Sequence, residues 1–383
     1  MHPCVEDIVV PRSLEYLSRD DAPELQVYYI QLVSSTSSIH LTPFLSILQL
    51  GSLLVLTSLS SGTHDHRRIL LQQGALPLLL KLLTSDTRDD IMQEVYSSWN
   101  MADSPYYRLR LLDLGALMPI LNLLKSPHSR FSLFKIATFC LSNLVRGKPR
   151  VNFVQVKPAL PVLQQLLHST NEEVVIDACW ALSYLLDGQI DIAEDLTEEG
   201  VCPKLMELLN RPSETVILPA LVALGNIAAG FIAQTQAVIE ANIIQILVHA
   251  LHHDDFDVQK AATRAIFNFT CRGSTFHIRY LAAQGCIRPL CKLLTCSDPV
   301  LLSNCLQVLD SFMSVGEADK NMGLHDGINV FAQMVEKHQG CNNMERLVKL
   351  VHGHVQNFYL ALKILKRYWP RRFYSLFDIG QGW

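Results

Sequence analysis

The sequence predicts an all-α solenoid. Three observations predict it: a repeat of about 42 residues, a leucine-rich stretch after each repeat mark, and an apolar content large enough for one continuous core. The marks are short turn-plus-helix-start phrases: Gln73-Gly-Ala-Leu-Pro77, Leu114-Gly-Ala-Leu-Met-Pro119, Lys157-Pro-Ala-Leu-Pro161, Glu199-Gly-Val-Cys-Pro203, Ala241-Asn-Ile-Ile244 and Gln284-Gly-Cys-Ile-Arg-Pro289, with a weaker one at Asp326-Gly-Ile328. Between Gly74, Gly115, Pro158, Gly200, Asn242, Gly285 and Gly327 the steps are 41, 43, 42, 42, 43 and 42 residues. A period in this range with helical patterning marks armadillo or HEAT repeats. In such an array each repeat packs only on its neighbours, and binding falls to the concave face.

Composition agrees. Hydrophobic residues are 49% and charged residues 18% of the 383. A net charge of -4 gives the chain as a whole no electrostatic reason to seek nucleic acid or an anionic membrane. Ten cysteines lie scattered through helical segments, which reads as reduced, buried thiols of the cytosol or nucleus and not as a disulfide framework. Asn268-Phe-Thr270 has the form of a glycosylation site, but it falls inside a helix with no cleavable leader before it.

From the N-terminus, residues 1–10 are an extension. Pro11 to Gln26 begin an amphipathic helix, with Leu14 and Leu17 three apart. Val27 to Gln49 fit no repeat and are read as an insertion. From Leu25 to His64 there is no Asp, Glu, Lys or Arg, and Leu41 to Leu59 is long enough for a membrane span. Pro43, Gln49, Gly51, the Ser and Thr residues and the lack of a flanking basic cluster argue against one. From Leu50 to about Trp369 the pattern is regular. Each unit holds a short first helix, a second helix with a leucine stripe such as Leu205-Met-Glu-Leu-Leu209, and a third helix ending in a turn such as Asp187-Gly188 or Ala229-Gly230. The array thus spans 11–369, with 27–49 outside its pattern, and 370–383 form a tail without helical period.

The third helices carry the candidate chemistry. They read Leu54-Thr57-Ser58, Tyr96-Trp99-Asn100, Phe139-Ser142-Asn143, Trp180-Ser183-Tyr184, Val222-Gly225-Asn226 and Arg264-Phe267-Asn268. Most pair a bulky residue at i with a short polar residue or Tyr at i+4, which puts both on one helix face. Repeated along a groove, the pairs form a ladder suited to an extended basic peptide. Asparagine amides donate to and accept from a peptide backbone. Aromatic faces take the stems and charges of Lys and Arg. Acids at helix ends, Asp103 and Asp187, pair the ammonium group. For any single repeat, capping and packing is the plainer role of these residues; the recurrence favours the ladder.

These segments resemble importin alpha, the armadillo adaptor of nuclear import. The likeness rests on Cys179-Trp-Ala-Leu-Ser-Tyr-Leu185, Ala137-Thr-Phe-Cys-Leu-Ser-Asn-Leu-Val-Arg-Gly-Lys-Pro149, Gln155-Val-Lys-Pro-Ala-Leu-Pro161, Pro219-Ala-Leu-Val-Ala-Leu-Gly-Asn226, Val315-Gly-Glu-Ala-Asp-Lys-Asn321 and the closing Ile364-Leu-Lys-Arg-Tyr-Trp369, and it is greatest to the plant members. The resemblance implies a right-handed armadillo superhelix of about eight repeats, no enzymatic activity, no cofactor, residence in cytoplasm and nucleus, and binding of basic nuclear localisation signals through a Trp and Asn array. Carried over residue by residue, Trp180 and Tyr184 both match. Tyr96 and Phe139 stand in Trp positions, with Asn100 and Asn143 retained. Asn226 and Asn268 are retained, and Arg264 stands where the family has Trp. Leu54 and Ser58 replace the first pair. Asp103 matches the acid that pairs the key lysine of the signal, and Arg67 stands in place of a helper threonine.

Three larger departures follow. Residues 1–26 hold only Arg12 and Arg19 as basic residues, where the family has a basic arm for importin beta, so importin beta and the export receptor are left as open partners. Gln234 to Ile244 joins the start of one family repeat to the start of the next, so one repeat is absent. Removing Val27 to Gln49 restores the family register. The resemblance supports a signal-binding adaptor with a degenerate array; the alternative is an armadillo scaffold that has lost signal binding. A metal-dependent enzyme is a further rival, resting on His249, His252, His253, Asp254, Asp255 and Asp257, whose plainer reading is a polar turn between repeats. Cys286, Cys291 and Cys296 spread around a helix, which suits burial.

Overall fold

The computed structural model describes residues 53, 56, 57, 60, 61, 67, 75–81, 95–97, 99, 102, 104–126, 130–188, 193, 200–211, 213–230, 243–349 and 355–377. Among them every regular element is a helix. The chain divides into two compact units, Met1–Leu185 and Leu186–Trp383. The insertion at Val27 to Gln49, the extension before it and most of the apolar stretch Leu41 to Leu59 lie outside the described residues. No described helix is long and apolar enough to cross a membrane.

The first unit contains α1 (Ala75–Lys81), α2 (Pro105–Asp113), α3 (Leu117–Lys125), α4 (Phe131–Val145), α5 (Phe153–Val156), α6 (Leu160–Leu166) and all but the last residue of α7 (Glu172–Leu186). Pro105 opens α2, where its missing N–H costs no helical bond. The repeat mark follows α2. Gly115 turns the chain at φ 86°, and Gly200 and Gly285 do the same at 77° and 93° in the second unit. A β-carbon at any of the three meets nothing within 4 Å, so the demand is on the backbone alone. Gly115→Ala is therefore expected to cost about 1–2 kcal/mol through left-handed strain, without a packing defect. Urea unfolding checks it; a loss above about 3 kcal/mol would contradict a purely backbone cause.

After the turn, α3 buries Leu117, Ile120, Leu121 and Leu124, the i, i+3, i+4, i+7 stripe of an amphipathic helix. α3 packs on α4, which also receives α2, and α6 packs on α3. Asn152 caps α5 and Asn171 caps α7, each accepting a backbone N–H of the first turn. Arg108 of α2 is 1% exposed, and its Nη2 donates to the Pro149 carbonyl at 3.1 Å, tying one repeat to the loop of the next.

The second unit contains α8 (Val201–Leu209), α9 (Glu214–Ile227), α10 (Ile243–Ala250), α11 (Phe256–Arg272), α12 (Thr275–Ala283), α13 (Ile287–Leu293), α14 (Pro299–Asn321), α15 (Val330–Lys337), α16 (Gly340–Lys349), α17 (Val355–Tyr368) and α18 (Pro370–Ser375). The long third helices stack in sequence: α9 on α11, α11 on α14, α14 on α17. Gly225 permits the first of these contacts, since a β-carbon there would meet Cβ of Ala265 at 3.0 Å and its Cα at 3.3 Å. Asp255, Ser274, Asp298 and Asn329 cap α11, α12, α14 and α15 with their side chains. Lys260–Asp298 at 2.6 Å and Arg279–Asp319 fasten neighbouring repeats. Arg279 reaches Asp319 with Nε at 3.0 Å and Nη2 at 2.5 Å, and this pairing holds the Asp319 carboxyl below its usual range.

The C-terminus differs from the expected loose tail. Pro370 ends α17 and opens α18 at once, as its fixed φ allows. Arg372 then anchors α18, donating at 2.9 Å to both Glu345 and Asn342 of α16. These partners lie 27 and 30 residues upstream, so local period does not report them. Residues 378–383 of the tail lie outside the described residues.

Candidate functional site

The first unit positions two of the ladder pairs. On α4, Phe139 is 44% exposed, while Asn143, one turn later, is 6% exposed and offers only an edge. On α7, Trp180 and Tyr184 are half-buried and stack with ring centroids 5.8 Å apart and planes 18° from parallel. The i, i+4 spacing brings them together. The Arg146 guanidinium, from the turn that ends α4, lies 5.9 Å over the Tyr184 ring. That ring face therefore already holds a cation within the chain. Burial pushes the Tyr184 hydroxyl up, with Arg146 opposing.

One acid of this surface escaped the sequence reading. Asp177 lies three residues before Trp180, on the same helix face. Its carboxyl is pushed up to about 6, chiefly by burial and secondly by the Glu173 charge, with Lys135 opposing. Lys135 of α4 is ion-paired to Glu173 of α7.

Tyr96 is corrected. It is 1% exposed and packs edge-on against Trp99, centroids 5.3 Å apart, so it belongs to the core and presents no face to a peptide. Trp99 is itself 0% exposed. Leu54, Ser58, Asn100 and Asp103 lie outside the described residues; Arg67 is half-buried.

The second unit places its rungs differently. Asn226, at the end of α9, is 5% exposed. Asn268 of α11 donates from Nδ2 to the Gly225 carbonyl at 2.8 Å, fastening α11 to α9. Arg264, four residues before Asn268, donates from Nη2 to Asp187 Oδ1 at 2.9 Å and to Asn226 Oδ1 at 3.2 Å. Asp187, expected to receive a peptide ammonium, is thus engaged by the chain's own guanidinium.

Comparison with known proteins fixes the lineage of this arrangement. The armadillo/beta-catenin-like repeat family matches residues 154–187, 191–229 and 232–270. Importin subunit alpha-1b of Oryza sativa subsp. japonica is 39% identical across 96% of this chain and 73% of its own length. Importin subunit alpha-4 of Arabidopsis thaliana is 40% identical across 94% of this chain and 70% of its own. The chain belongs to the importin alpha family. Among solved structures, an engineered protein at 22% identity shares the fold with a TM-score of 0.72 over 94% of this chain and 88% of its own. A designed armadillo repeat protein in complex with the peptide (KR)4 is 29% identical, with a TM-score of 0.54 over 62% of this chain and 99% of its own.

The rival features of this importin alpha relative have ordinary roles. Among the described residues no group of His, Cys, Asp and Glu is placed to hold a metal ion. His253 Nδ1 accepts from the Asp255 N–H at 3.0 Å, and Asp255 accepts from the Asp257 N–H at 2.7 Å, which makes the cluster a capped turn before α11. Cys286 and Cys291 are buried, and Cys296 is partly so.

Proposed function

We propose that the chain is an adaptor that binds basic nuclear localisation signals of cargo proteins, chiefly through Phe139, Asn143, Trp180 and Tyr184. The observation that carries this is the stacked, half-buried Trp180–Tyr184 pair on α7, with Phe139 of the preceding rung 44% exposed. Stacked rings accept Lys and Arg stems at small entropic cost. Asp177 is the acid beside them. The family membership and the designed armadillo protein in complex with (KR)4 support the same ligand class. Importin beta and the export receptor remain the partners the family suggests. No covalent step is assigned to the chain, and the proposed setting is cytoplasm and nucleus.

Titration of a fluorescent basic signal peptide by anisotropy at physiological salt, beside an alanine-substituted control, tests the reading. Saturable binding that the control lacks supports it. No binding at tens of micromolar leaves the armadillo scaffold, a reading that the burial of Tyr96 and the engagement of Asp187 favour.

The same titration has an expected pH profile. Asp177 sits at about 6 in the folded chain, above its unfolded value, so its ionised form is disfavoured by the fold. Its strain on stability is present above that value and fades as pH falls through it. A bound cation favours the ionised form. Affinity is therefore expected to fall several-fold from pH 7 to pH 5. Asp177→Asn flattens the profile; an unchanged profile in that variant would remove Asp177 from the site.

A further inference from the structure

We infer that Arg264 is a built-in occupant of the second unit's ladder, excluding Lys and Arg side chains from Asp187 and Asn226. The inference rests on the peptide-binding reading and assigns a selectivity to part of it. Arg264 stands at the i position of its rung, where the other rungs carry a bulky apolar or aromatic residue, and Asn268 holds i+4. An aromatic residue there receives a cationic stem; a guanidinium repels one.

The side chain also has defined partners. Its Nη2 reaches a carboxylate at 2.9 Å and an amide oxygen at 3.2 Å, contributed by residues 77 and 38 positions earlier. Carboxylate and amide oxygen together form a receptor for one cationic group, and the chain supplies that group itself. Asn268 is committed as well, through its bond to the Gly225 carbonyl. Each polar rung of this unit thus has a partner within the chain, whereas on α7 the Trp180 and Tyr184 rings stay partly exposed.

The contact is reversible. The Arg264 side chain is 49% exposed and that of Asp187 38%, so water screens the pair and a competing ligand can displace it. Its effect is a selectivity of modest size, set against a second cationic cluster on a ligand.

Labelled (KR)4 peptide, titrated by anisotropy into the intact chain, tests the inference. Arg264→Ala is expected to bind about three- to tenfold more tightly than wild type. Arg288→Ala, which removes an exposed charge elsewhere in the unit, should leave affinity unchanged. Adding Asp187→Asn to Arg264→Ala should abolish the gain, because the vacated receptor has lost its acid. A gain that survives the double substitution, or that Arg288→Ala reproduces, overturns the inference in favour of bulk charge. Wild-type binding with no gain in Arg264→Ala overturns it while the peptide reading stands; no binding by either chain overturns both. Arg264→Gln, which keeps most of the volume, serves if circular dichroism shows that the alanine variant has lost helix.

Discussion

Replacing Trp180 and Asn143 together by alanine is expected to weaken binding of a basic peptide roughly thirty- to a hundredfold. Trp180 contributes a half-exposed indole stacked on Tyr184. Its loss removes packing and cation–π attraction of about 1–2 kcal/mol. In the proposed site Asn143 would supply one backbone clamp, worth about 1 kcal/mol net. The sum of about 2–3 kcal/mol gives the quoted factor at 1.4 kcal/mol per decade. Trp180→Ala alone should show about five- to thirtyfold loss and Asn143→Ala alone about fivefold, and the two effects should add unless both side chains touch the same peptide residue. Asn143 is nearly buried, so a thermal melt must accompany its titration. A folded double variant that binds as wild type does would remove the ladder from the site altogether.

The sequence carried the architecture because the repeat is local. Gly115, Gly200 and Gly285 are glycines for a reason of single-residue geometry, and the stripe Leu117, Ile120, Leu121, Leu124 is a matter of helical period. Both signals lie within ten residues of themselves. The pairing of Trp180 with Tyr184 is legible for the same reason, since four residues on a helix set the contact.

What escaped was set by neighbours. Tyr96 holds a Trp position in the family pattern, yet Trp99 stands three residues on, and the two rings pack edge to edge in the interior. Ladder spacing gives the helix face of a residue but not which way that face turns once its neighbour is as large as indole. Arg264 was visible as a departure, but its meaning depends on Asp187, 77 residues earlier. Asp177 was overlooked because an acid inside a helix reads as a solvated charge; only its burial and the nearness of Glu173 give it an unusual proton affinity. The C-terminal helix α18 has too few residues to show a period, and its anchor lies on α16.

The largest expected loss of stability is that of Phe312→Ala, about 3–5 kcal/mol. Phe312 is 0% exposed on α14 and lies 6.4 Å, tilted by 47°, from Phe331 of α15. Two features keep the resulting cavity from closing. First, α14 packs against α11, α12, α13, α15 and α17, so it cannot shift toward one neighbour without parting from another. Second, the start of α15 is pinned to it: Asn329 caps α15 and donates from Nδ2 to the Met313 carbonyl at 2.9 Å, one residue from the deletion. Gly316 leaves the space for that side chain, since a β-carbon there would collide with it. A site that cannot relax carries both the transfer and the cavity terms of a large-to-small substitution. Because repeats depend on their neighbours, the loss should appear in urea as an earlier transition confined to the second unit, leaving first-unit signals in place. Phe312→Leu, which refills much of the volume, should recover more than half of the loss. A cost below about 1 kcal/mol for the alanine variant would mean that α14 is free to move, against the packing on five helices described above.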